Sequence, residues 1–480
     1  MSGYEELSSA ELVALIQELV QESALLHQAN EQLRQANEQL RQEVEMLRSQ
    51  FRGPGPGNAL PPFVKPNRRK GNEGPRQPRR KRKQAYTRKR EEPTESVVHA
   101  LEHCPDCGRK LEGGWEHSRH QVLELPSMAI RIVDHVLIRR RCGVCKKMHV
   151  PRLGPDDGVL GQHRVGINLM AYIATLCTDY RLPRESVQRL LQSCHGLHLS
   201  EGEICEILHV VAKQGKDAVA AMLAELRRAP FVHADETGWR EEGMNGYLWS
   251  FSTPTVRYFH RGGRAGREAR GVLLGQWEQD DGTVEQEACD PFAGVLVCDF
   301  YSGYSWYELL QRCWDHFSRD LKDLRKAHAD ASGVVAWVKR VFKVYERAKE
   351  AAAAGYREHQ RRAKRRRLEA DLLALTRPYA HDESAPQQAL AARIERHLSE
   401  LFVFVTHPGV PSGNNAAERA LRPTVIARKI SGGTRSAKGT STMCALRTLF
   451  GTWVLRGRDT LQACVELLRH GGAPARAAPT

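Results

Sequence analysis

The sequence predicts a multidomain chain: an N-terminal coiled coil, a small cysteine-anchored ribbon, a helical region, and an α/β core interrupted by a long helical insertion. Three observations carry this expectation. Leucines recur every seven residues from 12 to 47, two CxxC pairs stand 34 residues apart, and short strand-like apolar runs replace helical patterning after residue 228. A chain of 480 residues accommodates about three domains and at least one sizeable core.

The coiled coil is expected over residues 1–50. Leu12, Leu19, Leu26, Leu33, Leu40 and Leu47 occupy d positions, and Ile16, Ser23, Asn30, Asn37 and Val44 the matching a positions. ANEQLRQ occurs twice in succession, at 29–35 and 36–42, which keeps the heptad strict. Asparagine at a costs stability but favours a parallel, in-register pair of helices, so the segment predicts a homodimer or higher assembly. A single amphipathic helix lying on the chain's own body is the simpler alternative.

Residues 51–98 turn Pro/Gly-rich and basic, with GPGPG at 53–57 and no apolar periodicity, and read as a disordered linker. The run Arg79, Arg80, Lys81, Arg82, Lys83 makes it a candidate nonspecific DNA tether. It is no bZIP basic region, because it follows the heptads and is broken by prolines, whereas that architecture places a continuous basic helix before the zipper.

Residues 99–152 carry Cys104 and Cys107 in CPDCG, and Cys142 and Cys145 in CGVC. Two such pairs, each with a glycine for the tight turn, suit one structural Zn2+ held tetrahedrally by four thiolates. The intervening VLEL and IRIVDHVLI alternate as strands do, so the expectation is a zinc ribbon with an extended hairpin. A redox role is the lesser reading, since one pair would serve it.

Residues 153–228 read as helices, with Pro183 near one start and Ser200 with Glu203 as a capping box at another. LPRESVQRLL ahead of a further helix permits a helix-turn-helix that contacts DNA, and equally a plain packing domain. Residues 229–430 hold the core, with FVHAD, GYLWSFST, VRYFH and GVLVCD as strands and a charged helical insertion at about 320–405. Residues 431–480 form a C-terminal segment that includes the polar SGGTRSAKGTS at 431–441. Trp239, Trp249 and Trp306 read as core rather than base-stacking residues.

The net charge of +15 is unevenly spread, with −6 over residues 1–50, +10 over 51–100 and +8 over 401–480. A basic linker and a basic tail favour a polyanionic partner, since each neutralised phosphate releases counterions. No apolar run approaches the roughly 18 residues needed to span a bilayer, and the N-terminus lacks a signal-like segment. With twelve cysteines and no such signal, a reducing, cytoplasmic and nucleoid-associated setting is expected, with no membrane partner.

The chemistry converges on three acids. Asp235 follows FVHA, Asp299 ends GVLVC, and Glu418 lies in a helical SGNNAAERALRP. Two carboxylates at the ends of neighbouring central strands and one on a helix are the oxygen donors a two-metal phosphoryl-transfer site needs, its ions about 3.5–4 Å apart. Asn414 and Arg422 flank Glu418 at four-residue spacing and share its helix face if the helix survives Pro423. By spacing alone, each acid reads as a cap or a surface charge rather than a metal ligand.

The surrounding phrases add more. HADETGWR, VLVCDFYSGY, CWDHFSRDL and NNAAERALRPTVIARK resemble the IS66-type DDE transposases, whose large TnpC-like subunit is ordered as zipper, zinc-finger-like domain, catalytic domain and short C-terminal segment. The resemblance runs nearly the full length. It implies an RNase H-like core with Asp235, Asp299 and Glu418 as the DDE triad, binding two Mg2+ or Mn2+. His316, Asn414, Asn415, Arg422 and Lys429 are the implied supporting residues, although a histidine packed beneath the sheet would also explain His316.

The implied partners are terminal inverted repeats, target DNA and small accessory proteins of the element. Many members read Asp-Asn-Asn before AERALRP, where this chain has Gly413-Asn414-Asn415, so a supporting carboxylate is unaccounted for. The expected activity is cutting of transposon ends and joining of the freed 3′ hydroxyl to target DNA. A non-catalytic DNA-binding regulator derived from a transposase is the alternative, and an RNase H-like nuclease without strand transfer a third.

Overall fold

The fold is seen in a computed structural model, which describes residues 92–123, 130–264, 266–279 and 281–471, together with positions 21, 24, 28, 31, 32, 35 and 39. Those seven N-terminal positions are helical and exposed. The heptad leucines and the basic run Arg79–Lys83 lie outside the described residues. The chain divides into two units, Met1–Leu123 and Glu124–Thr480. No helix among the described residues is long and apolar enough to cross a membrane.

In the first unit, Cys104 opens a tight turn closed by Gly108 N–H donating to Cys104 O at 2.9 Å, and His103 bridges Lys110. The second unit begins with a turn of the same kind. There β1 (Arg140–Arg141) pairs antiparallel with β2 (Met148–His149), and Lys146 N–H donates to Cys142 O at 3.1 Å. Of the extended hairpin expected from VLEL and IRIVDHVLI, residues 124–129 lie outside the described residues; residues 130–139 carry no strand, and Ile132, Val133, Val136, Leu137 and Ile138 are exposed. Alternation signals a strand only where one face finds something to bury against, and here it finds nothing among the described residues.

Four helices follow: α1 (Ile167–Thr178), α2 (Arg184–His195), α3 (Glu201–Gln214) and α4 (Lys216–Arg227). The capping box is present as read, with Glu203 N–H donating to Ser200 Oγ and Ser200 N–H to the Glu203 carboxylate. Such a cap contributes about 1 kcal/mol. These helices do not form a separate body. Ile173, Val187, Ile204 and Leu226 share one core with Val232, Ala234, Trp249 and Phe251 of the sheet and with Leu449, Trp453 and Leu468 near the C-terminus.

The sheet has five strands: β3 (Phe231–Glu241), β4 (Met244–Ser252), β5 (Arg257–Gly262), β8 (Val295–Cys298) and β9 (Leu310–Arg312), in the order β5-β4-β3-β8-β9. Neighbours β3, β4 and β5 run antiparallel, while β3–β8 and β8–β9 are parallel. Between β5 and β8 lie α5 (Arg267–Leu274) and the small pair β6 (Gln276–Glu278) and β7 (Val284–Gln286). Every strand foreseen in the core sequence is present, because each is an apolar run bounded by turn residues. Trp239 and Trp249 are buried, as expected, and half-buried Trp306 lies under Arg270.

The insertion consists of α6 (Trp314–Ala327), α7 (Ser332–Ala353), α8 (Glu358–Thr376), α9 (Gln388–Leu401) and the one-turn α10 (Val403–Thr406). It builds a second core around Trp314, Trp337, Phe402 and Phe404, joined to the sheet through Val295 and Val297. Alternate residues of β8 therefore serve two cores, since Leu296 and Cys298 face the first. The chain closes with α11 (Asn415–Ser431), α12 (Ala437–Leu455) and α13 (Thr460–His470). Pro423 does not end α11, which runs on to a left-handed Gly432 at φ 72°. The polar stretch 431–441 is a shorter loop than it reads, because Ser436 caps α12 by accepting from Gly439 N–H.

Candidate active site

Parallel pairing of β3 with β8 brings the first two acids together. Phe231, Val232 and His233 stand opposite Val295, Leu296 and Val297, and the same register continued by two residues sets Asp235 beside Asp299. Neighbouring strands are about 4.8 Å apart, and the two positions share one face because side chains alternate with period two. That face carries Phe231 and Val297, the side covered by the insertion. Each acid is fixed locally: Asp235 Oδ1 accepts from Glu236 N–H at 3.0 Å, and Asp299 Oδ1 from Tyr301 N–H at 2.9 Å.

Helix α11 brings the third acid. Its N-cap Asn414 is fully buried and fastens the helix to the sheet, donating from Nδ2 to Ala234 O at 2.7 Å and pairing Oδ1 with His233 Nδ1 at 2.9 Å. Its backbone N–H meets Cys313 Sγ at 3.0 Å. Glu418, one turn further, faces α6, with His316 Nε2 at 3.5 Å and Arg319 Nη2 at 3.7 Å from its Oε1. Both contacts are too long or bent for a hydrogen bond, and Glu418 Oε1 is buried without a hydrogen-bond partner.

The electrostatics report convergence. Burial, then Glu236, Asp299 and Glu418, push the Asp235 carboxyl up to about 7. Half-buried Glu236 is also raised, chiefly by desolvation, and Tyr304 O–H donates to its Oε2 at 2.7 Å. Among the described residues no three His, Cys, Asp or Glu side chains crowd closely enough to enclose a metal ion. Asp299 and Glu418 each act electrostatically on Asp235, without the three sharing one tight shell. The donor chemistry nevertheless fits hard divalent cations: carboxylate oxygens, one raised acid and one unpartnered oxygen favour a positive charge between them.

The supporting residues divide. Asn414 positions α11, His316 faces Glu418, and Asn415 Nδ2 donates to Asp315 Oδ2 at 2.7 Å. Arg422 and Lys429 are exposed one and three turns along α11, on the stripe that Glu418 begins. The Asp315 carboxylate occupies the space into which a side chain at Gly413 would project, so a carboxylate does stand at this point, carried by α6.

Arg312 is a residue that sequence reasoning missed. It is wholly buried at the end of β9, donates to Asp299 O at 2.7 Å, Tyr301 O at 3.0 Å and Ser305 Oγ at 3.1 Å, and pairs with Glu400 Oε2 at 2.5 Å. It thereby ties the Asp299 turn to the insertion. Its signal in the sequence was an arginine at the end of a strand-like LLQRC. Glu236 was likewise read only as the residue after Asp235.

Each CxxC turn has its own electrostatics. Backbone N–H groups, Asp106 first, lower the Cys104 thiol, and the N–H of Cys145 and then Val144 lower that of Cys142. Donors directed at sulfur favour thiolate and fit a metal-binding role for each turn.

The family model for the IS66 family of transposases matches residues 162–442. That span covers more than half of the chain and includes all three acids. The chain belongs to the IS66 transposase family. Comparison with curated proteins finds no match.

Proposed function

We propose that this IS66-family chain is a catalytic DDE transposase, which cuts transposon ends and joins the freed 3′ hydroxyl to target DNA. The observation that carries this is the β3–β8 register, which sets Asp235 beside Asp299 on the face that α11 supplies with Glu418. The mixed five-stranded sheet with its helical insertion supports an RNase H-like reading of the core. A triad of acids in which the charges of Asp299 and Glu418 act on Asp235 favours catalysis over the regulator reading, which has no need of one.

In the proposed reaction a water oxygen attacks phosphorus at the transposon end, the 3′ oxygen leaves, and that 3′ hydroxyl then attacks a target phosphodiester in the water's place. Two divalent cations bound by Asp235, Asp299 and Glu418 would supply charge neutralisation and lower the pKa of the attacking oxygen. Asp235 and Asp299 anchor the sheet side of the cleft, and Glu418 closes it from α11. His316 and Arg319, already beside Glu418, are placed to meet a phosphate oxygen on the α6 side. Arg422 and Lys429 extend a basic track for the backbone.

Zn2+ bound through Cys104, Cys107, Cys142 and Cys145, dimerisation through the heptads and DNA tethering through Arg79–Lys83 complete the proposal. The test is a strand-joining assay with labelled terminal repeat DNA and Mg2+. Joined product from the full chain is expected; repeat binding with neither cleavage nor joining would assign the regulator role instead, and cleavage without joining the nuclease.

A further inference from the structure

A second concave site opens on the sheet face that carries Asp235. It is a cavity of about 200 Å³, walled by Phe231 and His233 of β3, Ser252 of β4, Arg257 of β5, Pro411, and Arg419 of α11. Arg419 directly follows Glu418, but at 3.6 residues per turn it points about 100° round the helix, away from the triad. Along β3, His233 lies two residues before Asp235, roughly 7 Å, close to the rise of two nucleotides of duplex DNA.

The chemistry of the wall is one-sided. Its two charged residues are both arginines, and no Asp or Glu lines it. No ion pair among the described residues engages either guanidinium, although Arg312, Arg227 and Arg456 nearby in the fold all have acids. Half-buried Arg257 is held below the ordinary arginine range by burial and by the Arg419 charge. Ser252 is 2% exposed, and its Oγ is buried without a hydrogen-bond partner. The buried Ser252 hydroxyl and the half-buried Arg257 guanidinium each cost stability unless something accepts their hydrogens, and exposed Arg419 adds a second positive charge to the wall.

An apolar ligand would leave these donors unmet, and a cation is repelled. Burial lowers the pKa of His233 and so disfavours a charge there, while its Nδ1–H is taken up by Asn414 Oδ1 (Asn414 Nδ2 being donated to Ala234 O). We propose that this cavity is a phosphate-group site, with Arg257 and Arg419 neutralising the charge and Ser252 Oγ–H donating to one oxygen. Two sources share this chemistry: a phosphodiester of the DNA strand that passes Asp235, and free phosphate. Assignment to DNA rests on the transposase reading above; the anion site itself does not.

The test uses the full chain. Thermal unfolding is followed in inorganic phosphate and in chloride at matched ionic strength, for the wild type, Arg257→Gln, Arg419→Gln and the small Ser252→Ala, which guards against a folding failure at Arg257. The expected result is a concentration-dependent rise in Tm in phosphate for the wild type, lost in Arg257→Gln and reduced in the other two. No rise in the wild type, or an equal rise in all four, overturns the site. The same rise in Asp235→Asn would separate it from catalysis.

Terminal repeat DNA identifies the source. Removing one phosphate contact reduces the slope of log affinity against log salt by about one. A reduced slope in Arg257→Gln supports the strand phosphodiester. An unchanged slope beside a phosphate-dependent Tm overturns the DNA assignment in favour of free phosphate.

Discussion

Asp315 and Gly413 share one space: the carboxylate of Asp315 lies well inside van der Waals reach of any Cβ added at residue 413, and the same carboxylate holds Asn415 at the head of the helix that carries Glu418. A side chain at 413 therefore requires the Asp315 carboxylate to shift and give up its bond to Asn415. Gly413→Asp is expected to destabilise the protein by about 1–3 kcal/mol, through overpacking and like charge. Adding Asp315→Ala should restore most of the loss. Denaturant unfolding of the two single variants and the double variant measures the coupling; strictly additive losses would show that the two positions do not compete.

The raised Asp235 carboxyl makes a pH-dependent prediction for protein held in chelator. A folded pKa of about 7, above the usual carboxylate value, means that ionising Asp235 disfavours the fold. Stability from this group is fully present below the unfolded pKa near 4 and is lost as pH rises through about 7. Asp235→Asn should thus raise stability above pH 7 by a few kcal/mol at most, since a tenfold change in proton affinity is worth about 1.4 kcal/mol. The gain should fade toward pH 4. Melting curves across that range check the sign, and a gain independent of pH would contradict it.

Arg312 predicts a difference between two conservative changes. Its guanidinium is buried and satisfied by three oxygen acceptors beside Glu400. Arg312→Lys cannot reproduce that fork and leaves buried backbone acceptors unmet beside the half-buried Glu400, which His397 still contacts, at a cost of about 2–3 kcal/mol. Glu400→Gln keeps an acceptor for the guanidinium and should cost less. Because the bonds lost in Arg312→Lys hold the Asp299 turn, kcat should fall in whatever fraction remains folded. Active-site titration beside unfolding curves separates the two effects; a stable Arg312→Lys variant with wild-type kcat would remove Arg312 from the site's support.

The cysteine turns predict metal content. Full-length protein purified without chelator should carry one zinc per chain, and Cys104→Ala or Cys142→Ala should each lose it. Elemental analysis of the three proteins decides the matter. Zinc retained in both variants would mean that the two pairs are not its ligands.

Much of the core was legible because its signals are local. FVHAD and GVLVCD are apolar runs whose acids fall on one face by periodicity, and Ser200 with Glu203 caps a helix through residues three apart. The unread parts depend on partners far along the chain. Arg312 meets Glu400 across 88 residues, and Asn415 meets Asp315 across 100. IRIVDHVLI shows the converse, a local strand pattern with no partner to pair with among the described residues. Pro423 marks a disturbance to the helix in the sequence, yet α11 continues with its buried side packed on the sheet through Ala420 and Leu421.

The most direct measurement is single-turnover cleavage of terminal repeat DNA in Mg2+ by the wild type, Asp235→Asn, Asp299→Asn and Glu418→Gln, with DNA binding measured in parallel. Each variant should bind the repeat about as tightly as the wild type and cleave it on the order of a thousandfold or more slowly, because each removes an oxygen donor to the proposed metals. Cleavage at the wild-type rate by any one of the three, in protein that folds and binds, would contradict the triad.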